Sequence, residues 1–193
     1  MENSTEAPHE VPNNIQYAGF AKRLKAFMID YLIIFAYIVA LAGVNYGIIL
    51  SGGTLEEISP FFASLIVKDA IAFLTLILPV ILYFTLQESS PKQATWGKRK
   101  VGIRVVNANG KTLTRLQAFV RSLVKFLPWQ IAHTCLFHIP GLPLAPVEPS
   151  STVMAGFALV YLLVGIYITS VLISEKHCTP YDWVSGSYVI VEK

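Results

Sequence analysis

The residue pair with the clearest chemical potential in this sequence is Arg23 and Asp30, which lie in the run KRLKAFMID at the start of a long apolar stretch. Seven residues are about two helical turns, so both side chains fall on one helix face, about 10 Å apart along the axis. A carboxylate among apolar residues needs water or a cationic partner. Asp30 is therefore a structural ion-pair residue or a water-facing, ion-binding carboxylate, and Arg23 is its partner or an interfacial anchor.

Asp182 is the third candidate and follows Pro180 in the run TPYDWVSGSYVIV. If the last apolar stretch returns the chain to the side of Arg23, then Arg23, Asp30 and Asp182 converge as a transport or ion-pair site. The alternative for Asp182 is helix capping, because an aspartate there accepts hydrogen bonds from free backbone amides. Asp69 is a secondary candidate, and its simpler interpretation is that it complements a helix N-terminal dipole beside Lys68.

Other patterns in the sequence do not predict an enzyme, a cofactor site or a metal site. The run WGKRK lacks the upstream glycine and the following serine or threonine of a phosphate-binding loop. His133, Cys135 and His138 scatter around a helix instead of sharing one face, so we expect no metal site there. Cys135 and Cys178 fall on different segments, and we expect no disulfide between them. Neither a serine-hydrolase elbow nor a zinc-protease motif occurs.

The composition predicts an all-α membrane protein. Of 193 residues, 54% are hydrophobic and only 14% are charged, and the mean hydropathy is +0.55, outside the range of soluble proteins. Residues 1–17 are polar and acidic, which predicts a disordered tail before a membrane domain at 18–193. Apolar stretches long enough to cross a bilayer predict spans at about residues 26–50, 66–86 and 153–173, and a less regular stretch predicts another at about 119–139.

Most basic residues lie in one loop, between the second and third predicted spans. By the positive-inside rule this loop and both termini face the cytoplasm of a cell membrane. The run VGIRVVNANGKTL alternates and then turns at Asn109-Gly110, which predicts a small β-hairpin in the loop. The lipid bilayer is the first partner implied, the basic loop is a candidate contact for anionic lipid head groups, and nucleic acid is not expected.

The third predicted span is less regular than the others. Its apolar part, residues 126–139, contains Pro128, Gln130, His133 and His138, so by length alone it could be re-entrant. Four crossings place every basic block on one side of the membrane, whereas three do not. We therefore predict about four transmembrane helices, with the third either a full crossing or a re-entrant segment.

Three segments resemble, in order and spacing, the RDD family of small integral membrane proteins, which is named for one arginine and two aspartates. They are RLKAFMID, ESSPKQATWGKRKVGIRVVNANGKTLTRLQAFVR and TPYDWVSGSYVIV, and the similarity extends from about residue 18 to the C-terminus. The resemblance implies that Arg23, Asp30 and Asp182 are the naming residues. It places other recurrent positions at Glu88, Gly97, Lys98, Gly102 and Arg121. The family usually has Thr-Pro-Gly-Lys where this chain has Thr95-Trp96-Gly97-Lys98, which puts the local turn in question.

Two functions follow from these residues. The first is cation/proton transport, in which Asp30 alternates between a proton and a monovalent cation, Arg23 tunes its pKa and Asp182 lines the access side. The resemblance adds to this hypothesis, because some RDD proteins are described as sodium/proton antiporters. The second is a membrane partner or assembly factor whose charges form a structural ion-pair network, favoured by the small size and the lack of an inverted repeat. Four spans are few to enclose a pathway, so transport favours a homo-oligomer.

Overall fold

A computed structural model describes residues 15–52, 64–141 and 147–192 of the chain. Residues 1–14, which make up most of the predicted disordered tail, lie outside these ranges. Parts of the loops after the first and third apolar stretches, residues 53–63 and 142–146, lie outside them too.

Three helical segments in the described ranges are long and apolar enough to cross a membrane. They are α1 (Phe20–Leu50), a composite segment of α2 (Leu65–Ala72), a π-helical turn (Phe73–Ile77) and α3 (Leu78–Glu88), and the later helix Ser151–Ile173. Large apolar side chains such as Leu32 and Ile66 are 63% and 80% exposed on them. Exposure of this kind along whole helices is what a hydrocarbon solvent requires, so these segments identify a multi-pass membrane protein.

The π-helical turn is explained by Pro79, at the start of α3. Proline cannot donate a backbone hydrogen bond, and its ring crowds the carbonyl four residues earlier, here that of Thr75. A local widening of the helix relieves that crowding. The Thr75 carbonyl accepts a hydrogen bond from the Tyr37 hydroxyl of α1 at 2.5 Å, so the interruption also ties the first two membrane segments together.

The predicted third span is an uninterrupted helix. Arg115–Phe137 runs through Pro128 without a break and begins at a capping box, in which Thr114 Oγ1 accepts from Gln117 N and Gln117 Oε1 accepts from Thr114 N. We label this helix α5 and the following one, Ser151–Ile173, α6; α5 packs against both α3 and α6. This helix is not among the three that are long and apolar enough to cross a membrane. Its first turns carry the charged residues Arg115, Arg121 and Lys125.

The predicted β-hairpin is wrong in its pairing. β1 (Ile103–Asn107) pairs antiparallel with β2 (Ser187–Val191), so that Ile103 lies opposite Val191 and Asn107 opposite Ser187. The turn itself is present, since Gly110 N donates to Asn107 O at 3.0 Å. After that turn only Leu113 is apolar before the N-cap of α5 at Thr114, whereas β2 supplies Val189 and Val191, which pack with β1 in the same cluster as Ala18 and Ala26. Burial of apolar surface thus favours the distant partner.

Both ends of the described chain meet at this sheet. Ala18 N donates to Val189 O, and Val191 N donates to Gln16 O, both at 2.8 Å. Two short helices, α4 (Trp96–Val101) and α7 (Pro180–Ser185), lie at the same end of the bundle. We call α4, β1, α7 and β2 together the cap. The residues just before α1 therefore lie beside the last strand of the chain.

Candidate functional site

Asp182 is fully buried in α7 and binds two arginines. Its Oδ2 accepts from Arg23 Nη1 and its Oδ1 from Arg121 Nη2, each at 2.6 Å. Thr179 also donates to Oδ2, from its backbone nitrogen at 3.0 Å and from its hydroxyl at 2.8 Å. The N-cap of α7 is Thr179 and Asp182 is the third helical residue, so the N-cap alternative for Asp182 is wrong; its carboxylate instead accepts from the Thr179 amide in a capping box while it pairs with the arginines. Burial alone would raise the pKa of Asp182, but the Arg121 and Arg23 guanidinium groups hold it well below its usual range.

Arg121 extends these contacts to the end of α3. It is 2% exposed, and its Nη1 donates to Glu88 Oε2 at 2.7 Å while its Nε donates to Ser187 Oγ at 3.1 Å. Glu88, also buried, accepts in addition from the ammonium of Lys98 in α4. Burial lowers the pKa of that ammonium more than Glu88 raises it. The resulting series of ion pairs, which we call the charge chain, links in order Arg23, Asp182, Arg121, Glu88 and Lys98.

Asp30 lies beside the charge chain and is not paired with Arg23. It is 1% exposed and accepts three hydrogen bonds: from Thr95 Oγ1 at 2.5 Å, from Gly97 N at 2.7 Å and from the Tyr83 hydroxyl at 3.0 Å. Of the three naming positions, the structure therefore joins Arg23 and Asp182 directly. The Asp30 carboxylate instead fastens α4 to α1.

Gly97 allows that contact. A Cβ atom on Gly97 would overlap the Ala26 carbonyl oxygen and lie 2.9 Å from Asp30 Oδ1, so only glycine lets the two backbones approach this closely. Trp96 occupies the first position of α4, a position that proline also favours. Thr95 is the N-cap of α4, and its Oγ1 atom accepts a hydrogen bond from Lys98 N. The departure from Thr-Pro-Gly-Lys thus leaves the turn intact.

Asp69 belongs to a different part of the molecule. It lies in α2, at the opposite end of the second membrane segment from Glu88, about 28 Å away by helical rise. It comes after the first turn of α2, which contains no acidic residue, so its expected role at the helix N-terminus is wrong. Its Oδ1 atom is buried and has no hydrogen-bond partner in the described part of the chain.

Four contributors to the site were missed from the sequence. Tyr83, Thr95 and Ser187 carry no charge; Thr95 and Ser187 lie inside the quoted segments and Tyr83 lies five residues before Glu88, which is the only signal that could have pointed to them. Lys125 is one turn after Arg121 and thus on the same helix face. Its ammonium lies 3.7 Å from the centroid of the Phe84 ring.

A cavity of about 150 Å³ opens beside these groups. Its apolar lining comes mainly from α1 and α6. Its charged lining comprises Asp30, Arg23, Lys98, Arg121 and Lys125. Among the residues that the structure describes, no three histidine, cysteine or acidic side chains are grouped to hold a metal ion, and Cys135 and Cys178 are both free and buried.

One of the comparisons with known proteins finds a family. The family model described as "RDD family" matches residues 17–186, which covers α1 through α7 and every residue of the charge chain. No curated protein and no solved structure shows a detectable similarity to the chain. The protein belongs to the RDD family of membrane proteins.

Proposed function

We propose that this protein is a membrane-embedded scaffold or assembly partner, and neither a carrier nor an enzyme, in which buried charges lock the cap onto the helical bundle. The observation that carries the proposal is the charge chain, whose ion pairs connect α1, α3, α4, α5 and α7. Removing one member of a buried pair leaves an uncompensated charge and typically costs about 3–5 kcal/mol. Such a network favours one arrangement of the helices over others.

The state of the carboxylates argues against a transport cycle. A transporting carboxylate has to exchange its partners for a proton or a cation, and needs a pKa within reach of the ambient pH. Asp182 accepts four hydrogen bonds and its pKa is held low, while Asp30 accepts three. Asp182 is therefore arranged to stay ionised, and both carboxylates are held in place by donors from several elements.

The proposal includes four crossings with the cap on the cytoplasmic side of the cell membrane. Pairing of residues 16–18 with β2 puts both described ends of the chain at one end of the bundle, which an even number of crossings allows. The 23 residues of α5, the third span in chain order, extend over about 34 Å, enough to add a crossing to those of the three strongly apolar segments. Trp96 and Trp183 are 39% and 58% exposed in the cap, which suits the interfacial belt, and the basic loop beside them suits anionic head groups.

A combined stability and flux measurement tests this function. Purified full-length protein and Asp30→Asn are compared for thermal unfolding in detergent and for cation-driven proton flux in vesicles. A structural role predicts no flux above protein-free vesicles in either, together with a lower unfolding temperature for Asp30→Asn. A wild-type flux that Asp30→Asn abolishes at unchanged stability would overturn the scaffold proposal.

One observation favours a second function, the exchange of a monovalent cation for a proton. Asp30 lines the cavity, and two of its three donors are the hydroxyl groups of Tyr83 and Thr95, which can rotate to present oxygen lone pairs to a cation. In this alternative Asp30 is the exchanging group and Arg23 and Asp182 remain structural. A homo-oligomer would then complete the pathway. Sodium-dependent flux that Tyr83→Phe reduces without lowering abundance supports this alternative, and flux equal in both proteins excludes it.

A further inference from the structure

The cavity beside the charge chain has an excess of positive charge. Four cationic side chains line it, and only three carboxylates, including the buried Glu88 and Asp182 behind its wall, are available to balance them. A cavity that is partly apolar and carries a surplus cation attracts an anion, because the positive potential is poorly screened there.

Two cationic groups are incompletely satisfied. Within the described ranges, the Lys125 ammonium contacts only aromatic faces, with ring centroids of Phe84, Phe27 and Phe126 at 3.7, 5.2 and 5.2 Å. The Arg23 side chain is nine-tenths buried, and its Nη2 atom has no hydrogen-bond acceptor there. A buried donor without an acceptor costs free energy that a ligand can recover.

We infer that this cavity binds the phosphoryl group of an anionic ligand through Lys125 of α5 and Arg23 of α1. A phosphoryl group offers several acceptor oxygens to a guanidinium and an ammonium at once. One water requires roughly 10–15 Å³ of such space, so about 150 Å³ accommodates a phosphoryl group together with part of its substituent. The proposed site uses the Lys125 ammonium and the Nη2 atom of Arg23, which take no part in the ion pairs of the charge chain. It therefore does not depend on the scaffold proposal.

The walls favour a membrane lipid as the source of that group. Leu24 of α1 and Ile168 of α6 line the cavity and are also 45% and 39% exposed, and both lie on helices apolar enough to cross a membrane. An acyl chain could leave the cavity along those residues while its head group stays inside. A free phosphate would use the same cations without needing the apolar walls.

The experiment measures binding to the full-length protein, delipidated in detergent, through thermal unfolding and native mass spectrometry. One arm adds phosphatidylglycerol or phosphatidylcholine with identical acyl chains, and the other adds inorganic phosphate. We expect saturable, one-to-one stabilisation by phosphatidylglycerol that exceeds that by phosphatidylcholine. The same effect from inorganic phosphate alone would identify a soluble ligand at the same site and overturn the lipid assignment.

Matched charge variants localise the effect. Lys125→Gln should weaken binding by roughly tenfold or more, whereas Lys125→Arg keeps it. Lys111→Gln removes the same charge from the exposed turn of the basic loop and should leave binding unchanged. Lys125→Gln breaks no ion pair among the described residues and loses only contacts with aromatic rings, so it should still fold, and the unfolding temperature of each variant without lipid serves as its own baseline. No saturable binding in either arm, or equal weakening by Lys111→Gln and Lys125→Gln, would refute the site.

Discussion

Arg23 Nη1 donates to Asp182 Oδ2 at 2.6 Å and so joins the start of α1 to α7 across 159 residues of sequence. Asp182 simultaneously accepts from Arg121, so the contact belongs to a network of more than two charges. The predictions about Arg23 and Asp182 depend on this shared carboxylate.

Neutralising Asp182 should destabilise the protein strongly. Asp182→Asn leaves Arg23 buried without its counter-charge and Arg121 with Glu88 alone, and we expect a loss of about 3–5 kcal/mol in the free energy of unfolding. Asparagine has nearly the same size and keeps one oxygen that can accept from the Thr179 amide, so the change mainly reports the charge. Chemical unfolding in mixed micelles measures the effect. The control Glu175→Gln changes an exposed acid close to α7 and should stay within about 0.5 kcal/mol of wild type; similar losses in both variants would contradict the prediction.

Reversing the ion pair should fail to restore stability. In the double variant Arg23→Asp with Asp182→Arg, the new arginine at position 182 would face Arg121 at the distance of the present ion pair. We expect its abundance in membranes to stay as low as that of the worse single variant. Recovery to wild-type abundance would mean that Arg23 and Asp182 act as an isolated pair.

Gly97→Ala should separate α4 from α1. The added Cβ overlaps the Ala26 carbonyl oxygen, so the backbones have to move apart and the hydrogen bond from Gly97 N to Asp30 weakens. We expect a loss of about 1–3 kcal/mol, as for other overpacked sites. Thermal unfolding of the purified protein measures it. Gly165→Ala is the matched control, because a Cβ atom there would meet no described atom within 4 Å and alanine favours a helix. A stable Gly97→Ala protein would show that the close approach is dispensable.

Stability should fall in acid through Asp182. Its pKa in the folded protein lies below the ordinary value of 3.8, so its ion pairs contribute stability at every pH above about 4. Below about pH 4 the unfolded state takes up a proton that the folded state does not, so the contribution declines from there and is gone once the pH is below the folded pKa. Unfolding curves recorded from pH 7 down to about pH 3 should show this loss in wild type and a shallower slope in Asp182→Asn. Parallel curves for the two proteins would contradict it.

Single cysteines can count the crossings. Lys111→Cys and Glu148→Cys place exposed thiols before and after α5. In a background without Cys135 and Cys178, four crossings predict that an impermeant reagent labels position 148 on intact cells and position 111 only after permeabilisation. Labelling of both from the same side would leave α5 as a helix that does not cross.

Much of the membrane architecture could be predicted from composition and local pattern. Long apolar runs specify α1, the composite segment ending at Glu88, and α6. A helix that crosses a bilayer needs about 20 apolar residues, and this requirement can be read from the local sequence alone. The turn at Asn109-Gly110 and the cap of α5 at Thr114 are equally local, since each depends on hydrogen bonds within a few residues.

The sequence by itself therefore determined that this is a multi-pass membrane protein with charges at its helix ends, and it singled out Arg23, Asp30 and Asp182. Only the tertiary structure decided how those charges pair. Arg23 meets Asp182 and Asp30 meets Gly97, while β1 pairs with β2 instead of with the residues after its own turn. These contacts join segments distant in sequence, and which of them forms depends on the simultaneous burial and charge balance of all the partners, which no local pattern encodes.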